Sequence, residues 1–224
     1  MDTPLTESQR RYRLLAWSVL VFSVLVILGG AVVRATGSGD GCGASWPTCT
    51  DRILPSNPAV ETVIEFSHRI TSAFAILGVV ALFVLARRLY PRGHWVEKAA
   101  GMSLILMVVE SLLGASLVIF QWVDQDASIG RMVVVPLHLV NTYLLLGALT
   151  LTAWWASGNP VPAERVDGRT RRQLLFGAAG LVLVGAMGAL NALSDTLYPA
   201  ESFFSGVQQE LSSDAPWLVQ LRIL

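Results

Sequence analysis

Five stretches of this chain are long and apolar enough to cross a lipid bilayer, and that leaves few folds open to it. In hydrocarbon every backbone N–H and C=O must find its partner inside the protein, so a spanning segment of this kind is a helix. About 20 apolar residues, rising about 1.5 Å each, match a hydrocarbon core about 30 Å thick. Leu14–Val33 and Leu174–Leu193 are each 20 residues long without a charge. Ile70–Ala86, which can extend outward through His68 and Glu65, and Met132–Ala156 are also uncharged, and Ala99–Val123 carries only Glu110. A sixth apolar stretch opens at Trp217 and runs to Leu224. The expected fold is an all-α polytopic membrane helix bundle. Composition agrees, with 53% hydrophobic and 14% charged residues where soluble domains carry about a quarter charged. That balance argues against a soluble enzyme or a disordered chain. Sixteen basic residues balance sixteen acidic ones, so no net basic field exists to attract nucleic acid.

Basic residues set the expected orientation. With the N-terminus inside, the inner segments hold eleven: Arg10, Arg11, Arg13, Arg87, Arg88, Arg92, Lys98, Arg165, Arg169, Arg171 and Arg172. The outer segments hold only Arg34, Arg52, Arg69 and Arg131. The N-terminus is therefore expected in the cytoplasm and the loop after span 1 outside the cell (inner) membrane. Span 1 has the basic start of a signal peptide, but its apolar run exceeds the 7–15 residues of a signal core and four spans follow it.

The outer loop from Arg34 to Asn57 is rich in Gly, Pro, Ser and Thr. Asn57 followed by Pro58 reads as an N-cap and first helical residue for span 2. The segment Ser157–Gln173, with Pro160, Pro162 and Gly168, reads as a linker. The expected organisation is a four-helix N-terminal half over 1–156, a cytoplasmic linker over 157–173, and the start of a second half over 174–224. Gly185 and Gly188 in span 5 faintly echo Gly29 and Gly30 in span 1, as an internal repeat would.

Three histidines are present, and two carry the chemistry. His68 lies near the outer end of span 2 and His138 near the outer end of span 4. Both spans run inward, so the imidazoles can sit at one depth and hold a haem iron from both sides. Each could equally be an interhelical hydrogen-bonding histidine. Glu65 precedes His68 by three residues and shares its helical face, with Glu61 and Ser72 extending the stripe. A carboxylate there could orient a ligand or move substrate protons, or face lipid headgroups. Asn141 and Thr142 follow His138 by three and four residues and either line the same pocket or bond neighbouring helices. Arg34, Arg69 and Arg131 sit where haem propionates would lie, and guanidinium binds carboxylate in a bidentate manner; snorkelling to the interface is the other reading. Cys42 and Cys49 form a C-x6-C pair in the outer loop, where an oxidising location favours a disulfide, as a staple or as an electron-exchanging pair. Glu110 is either protonated and hydrogen-bonded or part of a proton path. His94, beside Arg92 and Trp95, reads as a surface histidine.

Taken together, these residues resemble one family. Gly29-Gly30-Ala-Val-Val-Arg34-Ala-Thr36-Gly37-Ser38-Gly39, then Gly41-Cys42 and Trp46-Pro47-Thr-Cys49, is similar to the first outer loop of the haem A synthase family. Ile64-Glu65-Phe-Ser-His68-Arg69 resembles the start of its second helix, and Pro136-Leu-His138-Leu its second histidine helix. The run from Gly188 through Asp195 and Pro199 to Ala200 is similar to the outer loop of the family's second half. The resemblance implies oxidation of the C8 methyl of haem O to a formyl group, giving haem A for terminal oxidases. It implies eight spans in two related four-helix halves, the first holding substrate haem and the second an electron-passing haem b. Carried over, His68 and His138 are the axial ligands of the iron, Glu65 is the catalytic carboxylate, and Cys42 and Cys49 are the loop pair of one branch. The chain stops at Leu224, inside what would be span 6, so the expectation is of a truncated pattern without the second-half histidines. Implied partners are haem O, haem O synthase, oxidase assembly factors, membrane lipid and a second copy of this chain that could supply a missing wall. Two other functions use the same residues: a membrane b-type cytochrome that only carries electrons, and a thiol–disulfide exchanger acting through Cys42 and Cys49.

Overall fold

The computed structural model describes residues 5–49, 58–161 and 167–223, and among them every regular element is helical. Five helices are long and apolar enough to cross a membrane: α1 (Glu7–Ala35), α2 (Val60–Leu89), α3 (Trp95–Ile119), α4 (Ile129–Ala156) and α5 (Gly168–Leu197). Two short helices follow, α6 (Phe203–Glu210) and α7 (Trp217–Gln220), then a 3₁₀ turn over Leu221–Ile223. The protein is a polytopic helical membrane bundle.

Local chemistry sets the helix ends. Thr6 and Gln9 form a reciprocal capping box on α1, Ser128 caps α4 through the Arg131 N–H, and Asp167 caps α5 through Arg169 and Thr170. Such side-chain acceptors satisfy backbone donors that a helix start leaves unpaired. Several boundaries differ from the sequence expectation. Ala59, in extended conformation and without a side-chain cap bond, precedes α2, so Pro58 is not helical; Asn57, Arg52 and Arg165 lie outside the described residues. Span 3 ends earlier than hydropathy suggests, because Gln121 and Asp124 take positive φ (54° and 48°) and turn the apolar Trp122 into a loop. Gly168–Gln173, expected in the linker, form the first turns of α5. The apolar start at Trp217 is a single short helix, and α6 before it carried no spanning signal.

The first four spanning helices close a ring: α1 packs on α2 and α4, and α3 packs on the same two. Thus α2 and α4 face each other diagonally across the bundle. α5 packs on α4 outside the ring and also touches α7. Gly185 permits that approach, since a Cβ there would lie 2.5 Å from the Tyr143 ring.

The core is unevenly distributed along the ring. Its buried apolar residues are Tyr12, Ala16 and Val19 of α1, Ala75 to Ala86 of α2, Val96 to Met107 of α3, and Leu145 to Ala156 of α4. All belong to the end holding the N-terminus and the α2–α3 connection. Toward the other end, which carries the α1–α2 and α3–α4 loops, the buried side chains are mostly polar: Thr62, Glu65, Arg131, Asn141 and Thr142. One end of the bundle is a packed apolar plug, and the loop end is where polar chemistry collects.

His94 is more than a surface histidine. It is the N-cap of α3, where its Nδ1 accepts the Val96 N–H at 3.2 Å, and its ring stacks on Tyr90 at 4.8 Å. Burial lowers its pKa from 6.5, with Glu97 pulling the other way. A histidine with a depressed folded pKa supports the fold while neutral, and that support is lost as pH falls through the 6.5 of the unfolded chain. Acidification below about pH 6.5 is expected to lower the protection of the Val96 amide, its exchange measured against the intrinsic rate at the same pH, since protonated Nδ1 cannot accept. His94→Asn, which caps without titrating, is expected to remove the pH dependence; hydrogen exchange of the detergent-solubilised protein checks both.

Candidate functional site

At the loop end, the first turns of α2 are bound to the chain that precedes them. Glu65 is 3% exposed. One of its oxygens accepts the Cys42 N–H at 2.7 Å, and the other accepts the Arg69 Nε at 3.0 Å and pairs with the same guanidinium's Nη2. Arg69, one helical turn further on, also donates to the carbonyls of Ser45 and Thr48. The Thr62 hydroxyl donates to the Gly41 carbonyl at 2.7 Å. Gly41 packs so closely on α2 that a Cβ there would lie 2.5 Å from the Glu61 carbonyl. Residues at i and i+4 share a helix face, so Glu65 and Arg69 act as one clamp on the 41–49 loop. The Sγ atoms of Cys42 and Cys49, at disulfide distance (2.08 Å), close that loop and are buried.

The histidines lie on the diagonal helices. His68 is eight residues past the first residue of α2 and His138 nine past that of α4, about 12 and 14 Å along the two axes. The imidazoles are close enough to interact electrostatically. Each lies against a glycine of a flanking helix. A Cβ on Gly30 of α1 would come within 3.0 Å of His68 Cε1, and one on Gly29 within 3.5 Å of Nδ1. A Cβ on Gly114 of α3 would lie 3.7 Å from His138 Cε1. The glycine pair that marks the sequence thus gives His68 a side-chain-free wall; Gly114 carried no sequence signal. Neither imidazole hydrogen-bonds among the described residues, and Nδ1 of both is buried.

Glu110 of α3, left undecided by sequence, stands beside His138, with its Oε1 3.5 Å from Nδ1. Asn141 donates to its Oε2 at 2.6 Å and to the Leu106 carbonyl at 2.9 Å, and the Thr142 hydroxyl bonds its Oε1. Asn141 and Thr142 therefore bond the neighbouring helix, the second of their two sequence readings.

Three arginines were expected at propionates, and two of them have guanidinium groups engaged by the protein. Arg69 holds Glu65 and the loop. Arg131 is buried and donates to the carbonyls of Asp124 and Asp126 at 2.6 and 2.8 Å. Arg34 is exposed, makes no hydrogen bond or ion pair among the described residues, and lies near enough to feel the Arg131 charge.

The profile of the COX15-CtaA family, described as cytochrome oxidase assembly proteins, matches residues 13–221, from the start of α1 through α7. The chain belongs to the COX15-CtaA family. Over its whole length it is 50% identical to a protein of Thermus thermophilus named protoheme IX farnesyltransferase, of which it covers 36%. Over 111 residues, 48% of the chain, it is 40% identical to heme A synthase of Bacillus cereus, again covering 36% of that protein. The chain thus spans about a third of the length of these curated relatives. The COX15-CtaA match takes in the whole ring, the clamped loop and both histidines.

Gly41→Ala is expected to lift the loop from α2, because the methyl would meet backbone that cannot rotate aside; overpacking of this kind costs about 1–3 kcal/mol. The check is reduction of the Cys42–Cys49 pair in purified protein by a water-soluble phosphine, which should run several-fold faster than in wild type.

Proposed function

We propose that this chain carries the haem-oxidising site of a haem A synthase, converting the C8 methyl of haem O to a formyl group to give haem A for terminal oxidases. The observation that carries this reading is the pair His68 and His138. Two imidazoles stand on diagonal helices at similar distances from the helix starts, neither hydrogen-bonded among the described residues and each beside a glycine. Two neutral imidazoles complete an iron whose other positions are filled by a macrocycle, and ionisable side chains inside membrane spans mark functional sites. The glycines keep side chains away from both imidazoles, and the loop end is mostly polar where the other end is apolar.

Haem O, when bound, brings both the reactive methyl and an iron that can change oxidation state. The protein's part is holding, orienting and proton handling. His68 and His138 hold the iron. Glu65, one turn from His68, is the catalytic carboxylate; the change from methyl to formyl takes its oxygen from water and releases four protons and four electrons, the electrons leaving to an external one-electron acceptor, and once Arg69 yields Oε1 that oxygen can accept one of the protons. Arg34, whose guanidinium is unengaged among the described residues, pairs with a propionate. The buried Cys42–Cys49 bond staples the loop that holds Glu65. The excess of basic residues on the N-terminal side of the spans places the N-terminus in the cytoplasm and this loop outside the cell membrane. An electron-passing haem b belongs to a second half that longer relatives have room for, and oxidase assembly factors receive the product. A haem O synthase is the partner this reading requires, and the farnesyltransferase name of the Thermus relative, a protein nearly three times as long, supports that link.

The test is expression in membranes containing haem O, purification, and chromatography of the extracted haems. Haem A, or a hydroxylated haem O, is expected from the wild-type chain, with at least a tenfold loss in His68→Ala and in Glu65→Gln while the protein stays in the membrane. Normal haem A from either variant defeats the assignment. Bound haem with no oxidised product from any form would leave the electron-carrying cytochrome reading in its place.

A further inference from the structure

We propose that Glu110 is the positioning residue of His138, so that the two histidines form an unequal pair. The inference rests on the haem reading of the site. A histidine that binds a metal through Nε2 carries its proton on Nδ1, and a carboxylate accepting that proton fixes the tautomer and ring plane and makes the ligand more basic. His138 has such a group within reach: Glu110 Oε1, on the neighbouring helix, lies 3.5 Å from its Nδ1, at ion-pair distance and short of a hydrogen bond. The carboxylate is itself fixed, by Asn141 at 2.6 Å and by the Thr142 hydroxyl. The Thr142 hydroxyl also lies 2.9 Å from the His138 carbonyl, so its one proton is shared between the histidine's own turn and the carboxylate beside the ring.

His68 has no equivalent. Among the described residues no carboxylate lies within 4 Å of its ring, whereas Glu110 does so for His138, and the carboxylate on its own helix, Glu65, is turned to Cys42 and Arg69. The serine and threonine after it, Ser72 and Thr71, donate to the His68 carbonyl and not to its ring. His138 is therefore the oriented ligand and His68 the weaker one, which suits a site that must release its haem.

The experiment uses the full chain in detergent with haem B as probe, reading affinity, the visible and electron paramagnetic resonance spectra, and the midpoint potential. Wild type is expected to show a low-spin bis-histidine spectrum. Glu110→Gln, which keeps shape and an acceptor but removes the charge, is expected to keep that spectrum, bind haem B about tenfold more weakly, and favour the ferrous form about tenfold more, an upward shift of about 59 mV. Glu110→Leu, with no acceptor, is expected to go further, with a high-spin fraction as His138 disengages. Thr142→Val, which removes one support of the carboxylate, should give a smaller loss of affinity and keeps the proposal testable if the Glu110 variants fail to fold. Unchanged potential and affinity in folded Glu110→Gln and Glu110→Leu, or unchanged affinity in Thr142→Val when only that variant folds, would overturn the role of Glu110 while the histidine site stands. A wild-type chain that binds no haem B would overturn the haem reading and this proposal with it.

Discussion

The ion pair of Glu65 and Arg69 ties the rest of the loop end together. An uncompensated carboxylate at 3% exposure would cost several kcal/mol, so the charge on Glu65 depends on Arg69. Between them they reach Cys42, Ser45 and Thr48, which fixes the 41–49 loop on the first turns of α2. That placement brings a carboxylate, a guanidinium and a closed cysteine loop to within one or two turns of His68. It also leaves His68 without a carboxylate of its own, because the nearest one is spent on the loop.

A second constraint is the division of the ring into an apolar end and a polar one. At the apolar end small residues interlock: Ala16, Ala75, Ala86, Ala100 and Ala153 let the helices approach, and Leu82 and Leu149 fill what remains. Packing of small residues is a main source of helix association where no water is present to drive it. Toward the loops those residues give way to histidine, glutamate, asparagine and threonine. Adhesion at one end lets polar groups collect at the other. α5, attached to α4 alone within the ring, adds little to this framework.

Much of this was legible in the chain. Runs of uncharged residues fix five spans because hydrocarbon tolerates almost nothing else, and Glu65, His68 and His138 stand out because ionisable groups inside spans are rare. Boundaries were less legible. Phe120–Val123 are apolar enough for a span yet form a turn, and Gly168–Gln173 are polar enough for a linker yet are helical, since an aspartate cap and tertiary contacts outweigh hydropathy over a few residues. Arg69 and Arg131 are the instructive cases. Their position near the ends of spans is readable, but whether a guanidinium points at a ligand or at a loop carbonyl depends on where that carbonyl folds back.

The sequence by itself determined that this is a membrane helix bundle of at least five spans, with two histidines near one end and a cysteine pair beside them, because hydropathy and spacing act locally. Only the tertiary structure decided which groups meet. Glu65 turns to Cys42, 23 residues away, and Glu110 to Asn141 and Thr142, 31 and 32 residues away. Those pairings arise from the closed order of the ring, which puts α3 beside α4 and leaves α2 and α4 diagonal. No local pattern encodes that order, since it is set by side chains that interlock across helices far apart in the chain.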